Sequence, residues 1–119
     1  MAAILAGEKT ALTGLLQILE HAEEPVPRAG QRFSVLDSAG QRAAVIELTG
    51  VQVVPISEID DEYAIAEGRG YADAQEWRVA HEVFFQSEGV REFLGATPDI
   101  DDNTLVVAER FRLVHGTES

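Results

Sequence analysis

The sequence predicts an α+β domain or mixed barrel, and three observations carry that prediction. Residues 32–54 alternate apolar and polar side chains in short runs joined by tight turns, and the connections are too short for parallel crossovers. Residues 73–89 instead repeat apolar positions at the three- and four-residue spacing of a helix. The run "LVVAERFRLV", near the C-terminus, returns to strand periodicity. Strands and helices in separate blocks argue against a doubly wound sheet. A chain of 119 residues has room for one cooperative core and not for two ordinary domains, so residues 1–119 are expected to form one.

A first helix is expected from Lys9 or Thr10, because Leu12, Leu15, Leu16 and Leu19 share a helical face. Pro25 and Pro27 should end it, since proline disfavours helix upstream and donates no backbone hydrogen bond. Phe33 and Val35 alternate with Arg32 and Ser34 as in a half-buried strand. The turn "DSAGQ" then leads into a second strand over 42–49, and "VQVVPI" is expected as a third. Acidic residues from Glu58 to Glu62 introduce a short helix ending near Glu67 or Gly68.

A stronger helix follows "EGRGY", with Asp73 as its cap and Glu76 spaced to complete a capping box. Ala74, Trp77, Ala80, His81 and Phe84 are expected to share its inner face, with Phe85 at the margin and Gly89 at the end. "GATPDIDDNT" is a polar connection to the last strand. The sheet should therefore hold four or five strands.

Composition excludes several chemistries. The chain has no cysteine, which removes disulfides, thiolate catalysis and cysteine-ligated zinc. No run approaches membrane-spanning length, and "MAAILAGEKT" lacks the basic and apolar regions of a secretory signal. No membrane partner and a cytoplasmic location are the resulting expectations. The net charge of −12 repels a long polyanion, whereas a small nucleoside or a short RNA responds mainly to the groups lining a local cleft.

The only lysine, Lys9, sits where the expected helix would begin. The helix dipole disfavours a cation there unless an acid or anion compensates, so a partly desolvated Lys9 could act as a base. Thr13 lies one turn on, and Thr10 can cap the helix. Glu67 precedes the glycines at 68 and 70, which makes it a base, a ligand acceptor or a lysine partner if it is not a solvated turn acid. His81, between Trp77 and Phe84, reads as a hydrogen-bonded core histidine rather than a metal ligand. Asp99, Asp101 and Asp102 lack the rest of a calcium loop, so neither a metal nor a cofactor is expected. Glu109 falls in the apolar register of the last strand, where an acid requires a partner, a wet pocket or a bulge.

Together "GEKTAL", "EGRGYADAQEWRVAHEVFF" and "VVAERFRLV" resemble the ASCH family, and they occur in the family's order across nearly the whole chain. The resemblance implies a PUA-like open β-barrel with flanking helices, and an N-terminus shorter than in larger members. It also implies a cleft suited to RNA or a modified nucleoside. Some members resemble metal-independent amidohydrolases that remove an acyl group from N4 of cytidine, and others are described as ribonucleases. The deacylase pattern carries over as Lys9 and Glu67, but its threonine aligns with Leu12, which has no hydroxyl. Thr13 or Thr10 would have to serve instead. Tyr71 and Asp73 also depart from the family pattern, Tyr71 offering a stacking surface for a base.

The preferred expectation is recognition of a nucleoside or short single-stranded RNA, with Lys9 and Arg78 on phosphate or base edges. Tyr71 would stack on the base, Glu67 would accept a base amino group, and Glu109 would lie beside the ligand. Amidohydrolysis through Lys9, Glu67 and Thr13, or a ribonuclease-like activity, is the alternative. A third reading is a domain working through other proteins, including a homodimer joined by an apolar patch.

Overall fold

A computed structural model describes residues 10–115. Strands β1 (Ala11–Leu15), β2 (Arg32–Leu36), β3 (Arg42–Pro55) and β4 (Leu105–His115) form one antiparallel sheet in the order β1-β4-β3-β2. Helix α1 (Leu16–Ala22) follows β1 directly. A 3-10 turn at Ile56–Glu58 precedes α2 (Asp61–Ala66), α3 (Ala74–Phe85) and α4 (Glu88–Leu94), all between β3 and β4. The sheet curls into a half-barrel with the helices at its sides, the PUA-like α+β architecture.

Leu15, Val106 and Ala108 on one sheet face pack against Tyr63 and Ala64 of α2 and Trp77 and Phe85 of α3. The opposite face gathers Ile46, Leu48 and Phe111, with Leu12, Val35 and Val51 at its margin. Trp77 and Phe85 have 0% and 1% exposure, so they anchor α3 to the sheet.

Four expectations are corrected. The first helix does not begin near Thr10, because Ala11–Leu15 is an edge strand paired with Val106–Arg110. Its leucines fit helical spacing, but Ala11, Thr13 and Leu15 also fit a period of two, and the open edge of β4 decides between them. Lys9 itself lies outside the described residues. The second and third strands are one strand of 14 residues, whose register shifts between Leu48 and Gly50.

On α3 the inner ring is Phe85, not Phe84, which is 58% exposed. Trp77, His81 and Phe85 recur every four residues and are the buried positions of α3. Gly89 ends nothing, since Ser87 opens α4 and Gly95, at φ 82°, closes it.

Other expectations are met. Helix α1 stops before Pro25, with Glu23 left-handed at its end and amides of Glu23 and Glu24 capping its last carbonyls. Asp73 accepts from the Glu76 amide. The Glu76 carboxylate reaches back one residue further than a standard box, to the Ala72 amide.

Candidate functional site

The candidate site forms where edge strand β1 passes the start of α3. Thr13 pairs with Ala108, so its side chain leaves the sheet on the face that carries α2 and α3. Glu67 caps the C-terminus of α2 immediately before a loop in which Gly68 and Gly70 have φ of 72° and 85°. Those left-handed positions suit glycine, and the resulting reversal sets Arg69 and Tyr71 beside Glu67.

Glu67 is 3% exposed and its Oε2 gathers several donors. Thr13 Oγ1 donates to it at 2.6 Å and Trp77 Nε1 at 2.9 Å, while His81 Nε2 lies at 3.4 Å. Burial alone would raise the carboxylate's pKa. Hydrogen bonds from His81, Thr13 and Trp77, together with charge on His81, outweigh it and hold Glu67 at about 2. Glu67 is a fixed anion.

His81 is oriented from behind. Its Nδ1 lies 2.9 Å from the Trp77 carbonyl, which can only accept, so Nδ1 carries a proton and the donation to Glu67 needs a second one on Nε2, as in the imidazolium. The imidazole also stacks on the Trp77 indole, with centroids 4.1 Å apart and planes 20° from parallel.

Tyr63 supports the hydroxyl side. Its hydroxyl donates to the Leu12 carbonyl at 2.6 Å, accepts from the Glu109 amide at 3.1 Å and lies 2.8 Å from Thr13 Oγ1. Thr13 commits its one proton to Glu67, so Tyr63 shares its own proton between Leu12 and Thr13. Burial, and the neighbouring Glu67 and Glu109 charges, raise the Tyr63 pKa further above its ordinary value, so it stays a neutral donor.

Of these groups, Thr13, Glu67 and His81 face a cavity of about 370 Å³. Leu12 and Thr13 of β1 form one wall, and Ala80, His81 and Phe84 of α3 the other. Arg69 and Tyr71 complete the lining, with Tyr71 edge-on to His81 at 5.9 Å. Thus Thr13, Glu67 and Tyr71 converge despite their separation in sequence.

The other named residues lie elsewhere. Arg78 pairs with Glu82 and Asp102 and does not line this cavity. Glu109 stands between Leu12 and Val51, on the sheet face opposite Thr13, where burial raises its carboxyl pKa. Lys9, the proposed base, is outside the described residues. Among the described residues, no cluster of histidine and acidic side chains could hold a metal ion.

The sequence assigns Trp77, His81 and Phe84 to the core and gives no role to Arg69 or Tyr63, whereas Phe84 lines the cavity. A useful signal for Trp77 and His81 was their four-residue spacing beside an acid in a glycine loop. Tyr63 gave no comparable signal, because only β1–β4 pairing explains its hydroxyl.

The ASCH domain family model matches residues 1–115. The chain belongs to the ASCH domain family. The ASCH domain structure from Lactobacillus crispatus is similar, with a TM-score of 0.81 and 28% identity, covering 96% of this chain and 69% of that one. A protein from Enterococcus faecalis assigned to DUF984 also has a TM-score of 0.81, with 29% identity over 96% of this chain. The present ASCH chain spans 66% of that protein's length. No curated protein matches the sequence. Among the described residues, no helix is long and apolar enough to cross a membrane.

Proposed function

We propose that the Thr13–Glu67 cavity receives the base of a nucleoside or of a short single-stranded RNA. The observation that carries this reading is a cavity with aromatic walls and a rigid polar floor. Its volume of about 370 Å³ lies in the range of small-molecule sites. Tyr71 and Phe84 offer surfaces for base stacking, and Arg69 offers a cation for a phosphate or base edge. Thr13, its proton engaged by Glu67, keeps an oxygen lone pair for a base amino group.

Amidohydrolysis is a second reading, favoured by the 2.6 Å contact between Thr13 Oγ1 and Glu67. In it, Thr13 attacks the acyl carbonyl of an N4-acylated cytidine, the base amine leaves with a proton, and water releases the acyl group. A carboxylate held at about 2 is a weak proton acceptor, so Glu67 orients the hydroxyl and another group must take its proton. Family resemblance assigns that role to Lys9.

Incubating N4-acetylcytidine with excess protein separates the readings. Saturable binding of cytidine or a short RNA without turnover, weakened by Tyr71→Ala, supports recognition. Deacylation lost in Thr13→Val and Glu67→Gln replaces it with hydrolysis. Neither binding nor turnover removes both.

A further inference from the structure

A second cavity, of about 530 Å³, lies beside β3 and is lined by Gly50, Val51, Gln52, Ile59 and Tyr63 among others. Strand β2 pairs with β3 only from Arg42 to Glu47, and Gly30 and Gln31 extend the contact to Leu48. Beyond that point the outer edge of β3 is open among the described residues. Which groups it exposes follows from the ladder.

The Ile56 amide donates to the Thr104 carbonyl, which makes that a hydrogen-bonded pair. Antiparallel alternation then directs Val54, Gln52 and Gly50 toward β4 and turns the amides and carbonyls of Val51 and Val53 away from it. No partner for those outward groups occurs among the described residues. Sheet edges are commonly blunted by lysine, proline or a cover. Val51, Gln52 and Val53 carry no charge, Gln52 and Val53 are exposed, and the proline of this edge, Pro55, stands beyond them at the end of β3.

The charge beside this edge selects a partner. Arg110 lies over the Tyr63 ring at 5.2 Å and is paired with Glu62. Glu58 and Asp60 line the cavity without an ion pair among the described residues. An RNA backbone would meet these acids with like charge, and a second copy of a chain with net charge −12 would bring the same acids.

We propose that the outer edge of β3 at Val51–Val53 binds an extended basic peptide segment of another protein by strand addition. The peptide backbone pairs with Val51 and Val53. An apolar side chain enters the cavity toward Ile59 and Tyr63, and a lysine or arginine reaches Glu58 and Asp60.

The probe is a short capped peptide with valine and lysine at alternate positions of one strand face and threonine on the other, titrated against the whole chain. Controls are the same peptide with glutamate for lysine, an N-methylated version, and a short oligouridine. Binding of the lysine peptide alone, with slowed hydrogen exchange at the Val51 and Val53 amides, is expected. Val53→Pro removes one edge donor and weakens binding about tenfold. Glu58→Lys reverses the preference between lysine and glutamate peptides, which tests the charge separately should Val53→Pro disturb the fold. Equal binding of the glutamate or N-methylated peptide overturns the proposal. So does protection of the same amides by oligouridine, by self-association at rising protein concentration, or by none of the probes.

Discussion

Thr13 Oγ1 and Glu67 Oε2 lie 2.6 Å apart although 54 positions separate them in the chain. Pairing of β1 with β4 fixes Thr13, and the end of α2 fixes Glu67, so secondary structure rather than a flexible loop sets their contact. Such support favours a preorganised site. Leu12 points to the opposite sheet face, and its neighbour Thr13 supplies the hydroxyl.

Thr13→Val should keep the shape of the site and remove its hydroxyl. Glu67 loses a donor, which costs about 1–2 kcal/mol in urea unfolding. Binding of cytidine, or turnover of N4-acetylcytidine, should fall at least about tenfold, while Thr13→Ser restores most of it. Equal activity in Thr13→Val would remove Thr13 from the site.

Glu67 gives the fold a defined acid sensitivity. Its folded pKa of about 2 lies below its usual 4.5, so its ionised form stabilises the fold at pH above about 4.5. That contribution, of order 3 kcal/mol, is lost as pH falls from about 4.5 toward 2. Glu67→Gln should lower Tm at pH 7 and flatten its decline across this interval. Parallel Tm curves for the two proteins would show that Glu67 is not the titrating group.

Glu109 should behave in the opposite sense. Burial raises its folded pKa, so the ionised carboxylate is a liability above that pKa, and the liability disappears below the unfolded value. Glu109→Gln should raise Tm by about 1–3 °C at pH 7 and have no benefit in acid. Thermal scans at both pH values check this, and a lower Tm at pH 7 would point to a stabilising role for the charge.

The sequence was legible where one periodicity dominated. Asp73 and Glu76 marked the start of α3, and alternation from Leu105 onward marked β4. It was ambiguous at Ala11–Leu15, where five residues fit both periods and only the vacant edge of β4 decides. Glu67 stood out through its glycines, whereas its donors did not. Trp77 looked like simple core because an indole's apolar bulk conceals one N–H in sequence, and that N–H is what Glu67 uses. Phe84 and Phe85 are adjacent, so a small error in helical phase exchanged the buried ring for the cavity wall.

Tyr63→Phe tests whether the site depends on the bridge between β1 and β4. The ring can stay in the core, but the contacts of its hydroxyl to Leu12, Thr13 and Glu109 disappear. Loss of about 1 kcal/mol in urea unfolding is expected, because the Leu12 carbonyl and Glu109 amide still face each other in the ladder. Amide exchange near Leu12 and Thr13 should accelerate more than exchange in β2, which is remote from the bridge. Ligand binding at the Thr13–Glu67 cavity should weaken beyond what the stability change explains, since Thr13 loses one of its two restraints. Uniform acceleration across the sheet with unchanged binding would instead make Tyr63 a packing residue only.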